Sequence, residues 1–239
     1  MTPGLAALHR RGDSVAVIAA VDLGHPLAQG GERDVGLVLT RDENEPPMIV
    51  RERGAEDRVV FRVAVPAARY LVSLEGLNPE TGAARVRFGH GLAGREPGEP
   101  YVSDLLLFEA AAATGEGLDA VAPHMLGTTR IDRGRHGSQL GVFRETYGLE
   151  SQWVAQVSIS VTPKEGLLGR VASILRLRNS NRVRTSWQEV IDGTGVDHVE
   201  RTLRVDLSPL STGGHTLEIQ IQTEDGALVT ASRDIEIVR

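Results

Sequence analysis

The chain contains no cysteine. Disulfides, zinc–thiolate sites and thiol nucleophiles are therefore excluded. Aromatic residues are scarce: two Trp, three Tyr and four Phe make up 4% of 239 residues. Sugar-binding platforms and single-strand nucleic-acid grooves lean on exposed rings, so this scarcity weighs against both. Positive charge is in deficit, with a net charge of −6 and a pI near 5.7, which disfavours nucleic acid and anionic membrane as partners. No apolar run approaches the ~20 residues that a membrane-spanning helix needs, so membrane insertion is not expected.

The chain does have an ordinary globular balance, 41% hydrophobic and 24% charged. Its length exceeds the usual ~100–150 residues of one domain, so two domains are expected. Residues 15–21 are apolar and follow the basic run His9-Arg10-Arg11. Asp13 lies inside what would be the charged n-region, and Asp22-Leu23-Gly24-His25 offers no small-residue cleavage site, so this is read as a strand rather than a signal peptide.

Two-residue alternation between turn clusters dominates the rest. Trp153, Ala155, Val157, Ile159 and Val161 fall on one face, with Gln152, Gln156, Ser158 and Ser160 on the other. Leu203, Val205 and Leu207, then Leu217, Ile219 and Ile221, repeat the pattern. A helix would scatter these residues around its surface, whereas a half-buried strand points them all inward. Further strands are expected at 14–22, 34–40, 48–53, 58–65, 70–77, 84–88, 105–108, 140–146, 175–178 and 183–187, about fourteen in all. Asp225-Gly226, Asn179-Ser180-Asn181 and the 78–82 segment supply hairpin turns. In the last strand Arg233 falls on the inward face with Ile235 and Ile237, which predicts a bulge near 232–234. No helix is expected. The fold class is all-β: two tandem immunoglobulin- or fibronectin-like β-sandwiches, 1–112 and 139–239, with a long irregular connection over 113–138.

Motifs that carry chemistry are few. Gly89-His90-Gly91-Leu92-Ala93-Gly94 spells a dinucleotide fingerprint, but Pro97 and Pro100 follow where a helix must start. Arg11-Gly12-Asp13 reads as a turn entering a strand. The seven histidines, His9, His25, His90, His124, His136, His198 and His215, form no His-Glu-x-x-His motif and no pair four residues apart. Asp42, Glu43 and Glu45 would need partners from other loops to hold calcium. No nucleophile elbow is present, and Ser208 to Gly214 reads as a loop. No catalytic, cofactor-binding or metal-ligating residue is assigned, and no cofactor is expected. The outstanding charge feature is a basic ribbon, Arg176 and Arg178 on one strand and Arg182 and Arg184 on the next, with no acid between Arg170 and Trp187. It marks either a surface for an anionic protein partner or a solvated outer face that discourages edge pairing.

Several segments in order, Tyr70-Leu71-Val72-Ser73-Leu74-Glu75, Ser103-Asp104-Leu105-Leu106-Leu107, Thr185-Ser186-Trp187-Gln188-Glu189 and Arg201 to Ser208, together resemble the β-rich C-terminal region of bacterial GWxTD-domain proteins. Neither Trp153 nor Trp187 follows a glycine, so the resemblance is to the portion downstream of the naming motif. It implies a bacterial envelope-associated or secreted protein, of which this chain is part, and no activity. Without it, a chain lacking a signal peptide is expected in the cytoplasm. The expected function is a non-catalytic interaction or scaffold module with a protein partner. The alternatives are a ligand- or glycan-binding accessory module and a hydrolase on a β-scaffold.

Overall fold

A computed structural model describes residues 4–22, 33–42, 44–54, 58–78, 82–91, 100–148, 152–164, 182–192, 196, 198–224 and 226–239. The chain divides into two compact units. The first comprises Met1–Pro97 with Asp119–Thr128, the second Gly98–Leu118 with Thr129–Arg239. Each is a two-sheet all-β structure. The stretch read from sequence as a connection over 113–138 is thus shared out between the units, and part of the segment before it, from Gly98, packs with the second.

In the first unit β1 (Leu5–Arg11) and β2 (Ser14–Asp22) form a hairpin in which Arg11 pairs with Ser14. Gly12 and Asp13 make the two-residue connection. Gly12 sits at φ +58°, a conformation open to glycine because it has no Cβ, and the Ser14 hydroxyl donates to the Arg11 carbonyl at 2.8 Å. β5 (Arg58–Pro66) completes a sheet in the order β1-β2-β5. Facing it, β3 (Arg33–Thr40), β4 (Met48–Gly54), β6 (Arg69–Asn78) and β7 (Gly82–Gly91) form β4-β3-β6-β7. Val15, Val17 and Phe61 from one sheet meet Leu37, Val72 and Leu74 from the other in a single core. Gly89, His90 and Gly91 are thus the end of a strand, and the rest of that glycine run lies outside the described residues.

At the corner leading into β6, the Tyr70 hydroxyl donates to the Pro66 carbonyl at 2.8 Å. This is the tyrosine corner of immunoglobulin-like sandwiches, in which a ring near the start of the sixth strand ties the preceding corner to the core. Burial raises the Tyr70 pKa, so the phenol stays protonated and able to donate.

In the second unit β8 (Tyr101–Val102) and β9 (Leu106–Glu109) both pair with β11 (Gln139–Tyr147), whose other neighbour is β14 (His198–Asp206). The facing sheet runs β10 (Arg130–Asp132), β16 (Leu228–Val238), β15 (Gly213–Thr223), β12 (Gln152–Pro163), β13 (Val183–Asp192). Counting β8 and β9 as one broken first strand, and β10 as an added strand parallel to β16, both units have the same order. Strands one, two and five form one sheet; four, three, six and seven form the other. In each, the fourth strand pairs with the third, whereas in the immunoglobulin constant arrangement it joins the sheet of the fifth.

Two expectations change. The β15–β16 ladder is continuous from Gly213↔Ile237 to Gln222↔Leu228, so there is no bulge at 232–234. Arg233 stays in register opposite Leu217 and points inward, where the Asp104 carboxylate favours its charge against the burial that lowers its pKa. The 110–139 stretch also carries short regular elements: α1 (Leu118–Val121), a 3₁₀ turn (Ala122–His124), β10, and α2 (Arg133–His136), whose N-terminal amides at Gly134 and Arg135 donate to the Asp132 carboxylate. The hairpin expected at 179–181 and the strand at 175–178 lie outside the described residues.

Candidate functional site

The register of β11 and β14 sets like charges directly opposite each other on both faces of the strand pair: Arg144 against Arg201 on one face, Glu145 against Glu200 on the other. On a bare sheet such pairs are destabilising. The structure answers each differently.

The arginine face lies between the two sheets. Glu189 of β13 reaches across from the opposite sheet and takes both guanidinium groups: Arg144 Nη2 donates to its Oε2 at 3.2 Å and Arg201 Nε donates to its Oε1. Trp187 Nε1 adds a donor to Oε2 at 3.3 Å, and Arg144 Nη1 donates to the Thr146 hydroxyl. Arg144 is fully enclosed. Burial lowers its pKa to about 10, with Glu189 working in the opposite direction and Arg201 adding to the fall. It remains a cation at neutral pH.

The glutamate face is covered by the segment that precedes β10. Ser103, in the break between β8 and β9, satisfies both backbone groups of Glu145: its N–H donates to the Glu145 carbonyl and its hydroxyl accepts from the Glu145 N–H, each at 2.9 Å. Tyr101 stacks on Tyr147 with ring centroids 4.4 Å apart. Because strand side chains alternate, Tyr147 and His198, register partners two residues along, share the face with Glu145 and Glu200. Glu145 Oε2 accepts from the Tyr147 hydroxyl, and Glu200 Oε2 accepts from the Leu118 N–H at 3.1 Å. The Oε1 atoms of both acids face His198 Nε2, at 3.9 Å for Glu145 and 3.4 Å for Glu200. One ligand atom from each of these three residues lies within 4.8 Å of the others. His198 Nδ1 is buried without a hydrogen-bond partner among the described residues. The Glu145 side chain is 0% exposed, while His198 and Glu200 retain 20% and 33%, so the cluster opens toward solvent on the β14 side.

The basic ribbon is only partly described. Arg176 and Arg178 lie outside the described residues. Arg182 and Arg184 are exposed at the start of β13, with Arg184 opposite Ser160 on the outward face, in a row that continues through Glu218 and Ser232. Asp42 accepts from the Asn44 backbone at 2.8 Å in a turn, and Glu43 lies outside the described residues. The Glu145–His198–Glu200 cluster was missed in sequence. Its local signals were Glu145-x-Tyr147 and His198-x-Glu200, each placing two polar groups on one strand face, but nothing in the sequence shows that these strands pair.

No family model and no curated protein matches the chain. Among solved structures, red sea bream transglutaminase aligns over 100% of this chain and 32% of its own, at 10% identity and a TM-score of 0.30. This chain thus spans about a third of that structure's length, and at that score the likeness carries no functional argument.

Proposed function

We propose that the chain is a non-catalytic interaction or scaffold module with a protein partner, and that the basic end of β13 is where the partner docks. The observation that carries this reading is the strand itself. β13 is ten residues long and has β12 as its one hydrogen-bonded neighbour among the described residues. It presents Arg184 and the half-exposed Val190, with exposed Arg182 just before it, on a protein of net charge −6. An open sheet edge offers main-chain donors and acceptors to an incoming strand, and its flanking charges select the partner. Arg176 and Arg178 extend the same basic run in sequence. The resemblance to the C-terminal region of GWxTD-domain proteins fits a module within a larger bacterial envelope-associated protein.

The two other readings are less well supported. A glycan platform needs exposed rings, yet Phe61, Phe108, Phe143 and all three tyrosines are buried. A hydrolase needs a carboxylate that substrate can reach, whereas Glu145 is wholly enclosed. The test is the Arg182→Glu/Arg184→Glu double variant, compared with the unaltered chain in partner capture followed by quantitative mass spectrometry. Loss of a protein that the unaltered chain retains supports docking at this edge. An identical captured set removes it.

A further inference from the structure

We infer that Glu145, His198 and Glu200 form a binding site for a divalent cation of the zinc or manganese class. This inference is independent of the docking reading above.

The first argument is geometric. Metal–ligand bonds of about 2.1 Å in a tetrahedral shell set neighbouring ligand atoms roughly 3.4 Å apart. His198 Nε2 stands 3.4 Å from Glu200 Oε1 and 3.9 Å from Glu145 Oε1, so one cation fits among the three with small adjustments.

The second argument lies in how the remaining atoms are occupied. A metal site is made by its supporting hydrogen bonds as much as by its ligands. Here each carboxylate has its Oε2 tied by a donor, Tyr147 to Glu145 and the Leu118 N–H to Glu200, which turns the two Oε1 atoms toward the imidazole. Tyr147 is in turn fixed by its stack on Tyr101. The histidine sits over Tyr147, with ring centroids 5.6 Å apart, which orients its ring.

The third argument is the other face of the same strands. There a register-matched pair of like charges is joined by an ion of opposite sign, Glu189 between Arg144 and Arg201. The Glu145↔Glu200 pair is the same construction with the signs reversed, so the corresponding place calls for a cation. A divalent ion supplies positive charge between the two carboxylates and takes the imidazole as a further ligand.

The ligand chemistry narrows the choice. Two carboxylate oxygens and one imidazole nitrogen suit zinc or manganese. Calcium takes six to eight oxygen ligands, and an imidazole does not belong in its shell. The partial exposure of His198 and Glu200 gives the ion a way in from solvent.

The experiment uses the full chain, stripped with a chelator and titrated by calorimetry with ZnCl2, MnCl2 and CaCl2 in turn. One zinc or manganese ion is expected per chain, with calcium binding much more weakly. His198→Gln and Glu200→Gln should each weaken binding at least about tenfold, and Tyr147→Phe, which keeps all three ligands and the stack, by about 10–100-fold. His124→Gln, on the 3₁₀ turn of the first unit, should leave the affinity unchanged. Circular dichroism establishes that each variant is folded. Glu200 is a third exposed, so its substitution by the near-isosteric glutamine keeps the test open if the histidine variant fails to fold. The proposal is overturned if neither zinc nor manganese binds, or if His198→Gln or Glu200→Gln, folded, binds as tightly as the unaltered chain, since the ion would then reside elsewhere.

Discussion

At the scale of single residues, the interior of the second unit holds an ion triad as well as apolar contacts. Arg144 is enclosed and Glu189 nearly so, with a side chain 11% exposed, while Arg201 reaches partly into solvent. Removing the shared acid leaves a buried guanidinium beside a second one. Glu189→Ala is therefore expected to destabilise the chain by about 3–5 kcal/mol in urea unfolding, far more than loss of an exposed ion pair. A loss under about 1 kcal/mol would mean that water reaches the triad. Asp234 gives a contrasting case. Its carboxylate accepts from Lys164 at 2.6 Å and from the Thr216 hydroxyl at 2.9 Å, and chiefly the lysine contact holds its pKa below the ordinary 3.8. An acid with a depressed folded pKa stabilises the fold above its unfolded pKa, and that contribution disappears as pH falls through the folded value. Asp234→Asn should lower the thermal midpoint slightly at pH 7, because the pair is exposed. The two midpoints should converge as pH drops below about 4. A gap that stays constant to acid pH would show that the charge is irrelevant there.

At the scale of elements, legibility in sequence followed from alternation where one face is buried and from the length of the apolar run where both are. β12 and β15 each bury one face and alternate cleanly, so their inward residues were read correctly from Trp153 to Val161 and from Leu217 to Ile221. β1 escaped notice. Leu5, Ala6, Ala7, Leu8 and His9 are all buried, so β1 shows no period of two, and its apolar run is short, whereas the equally buried β2 is marked by the longer run Val15–Val21. β8 and β10 are two and three residues long, too short for any periodicity. Arg233 shows the converse limit. An inward arginine looked like a broken ladder because its companion, Asp104, is far away in sequence. The cation cluster was hidden for the same reason, since Glu145 and Glu200 meet only through the β11–β14 register. One short segment has its own steric test. A Cβ at Gly127 would lie 2.2 Å from the Asp22 backbone nitrogen and 2.5 Å from the Val21 carbonyl carbon. Gly127→Val should thus cost at least about 1–3 kcal/mol, read as a lower denaturation midpoint, because backbone cannot yield as a side chain tip does. An unchanged midpoint would show that the segment is not seated against β2.

At the scale of the whole molecule, the two units share a strand order that no sequence repeat announces. Their corners differ accordingly. Where the first unit begins its sixth strand with Tyr70, the second places His215 at the first inward position of β15, its Nδ1 3.0 Å from the Gly213 carbonyl. The same place in the fold is filled by different chemistry, which is why architecture could be read from spacing while kinship between the halves could not. The path of the chain between the units has a consequence for synthesis. Asp119–Thr128 belongs to the first unit, although it follows β8 and β9 of the second. On the ribosome, then, the first unit stays unfinished until Thr128 has cleared the exit tunnel. By that time β8 and β9 are already outside, waiting for β11, the strand with which both pair. The nascent chain carries an open edge through this interval, when a chaperone or a neighbouring copy has its best chance to seize it.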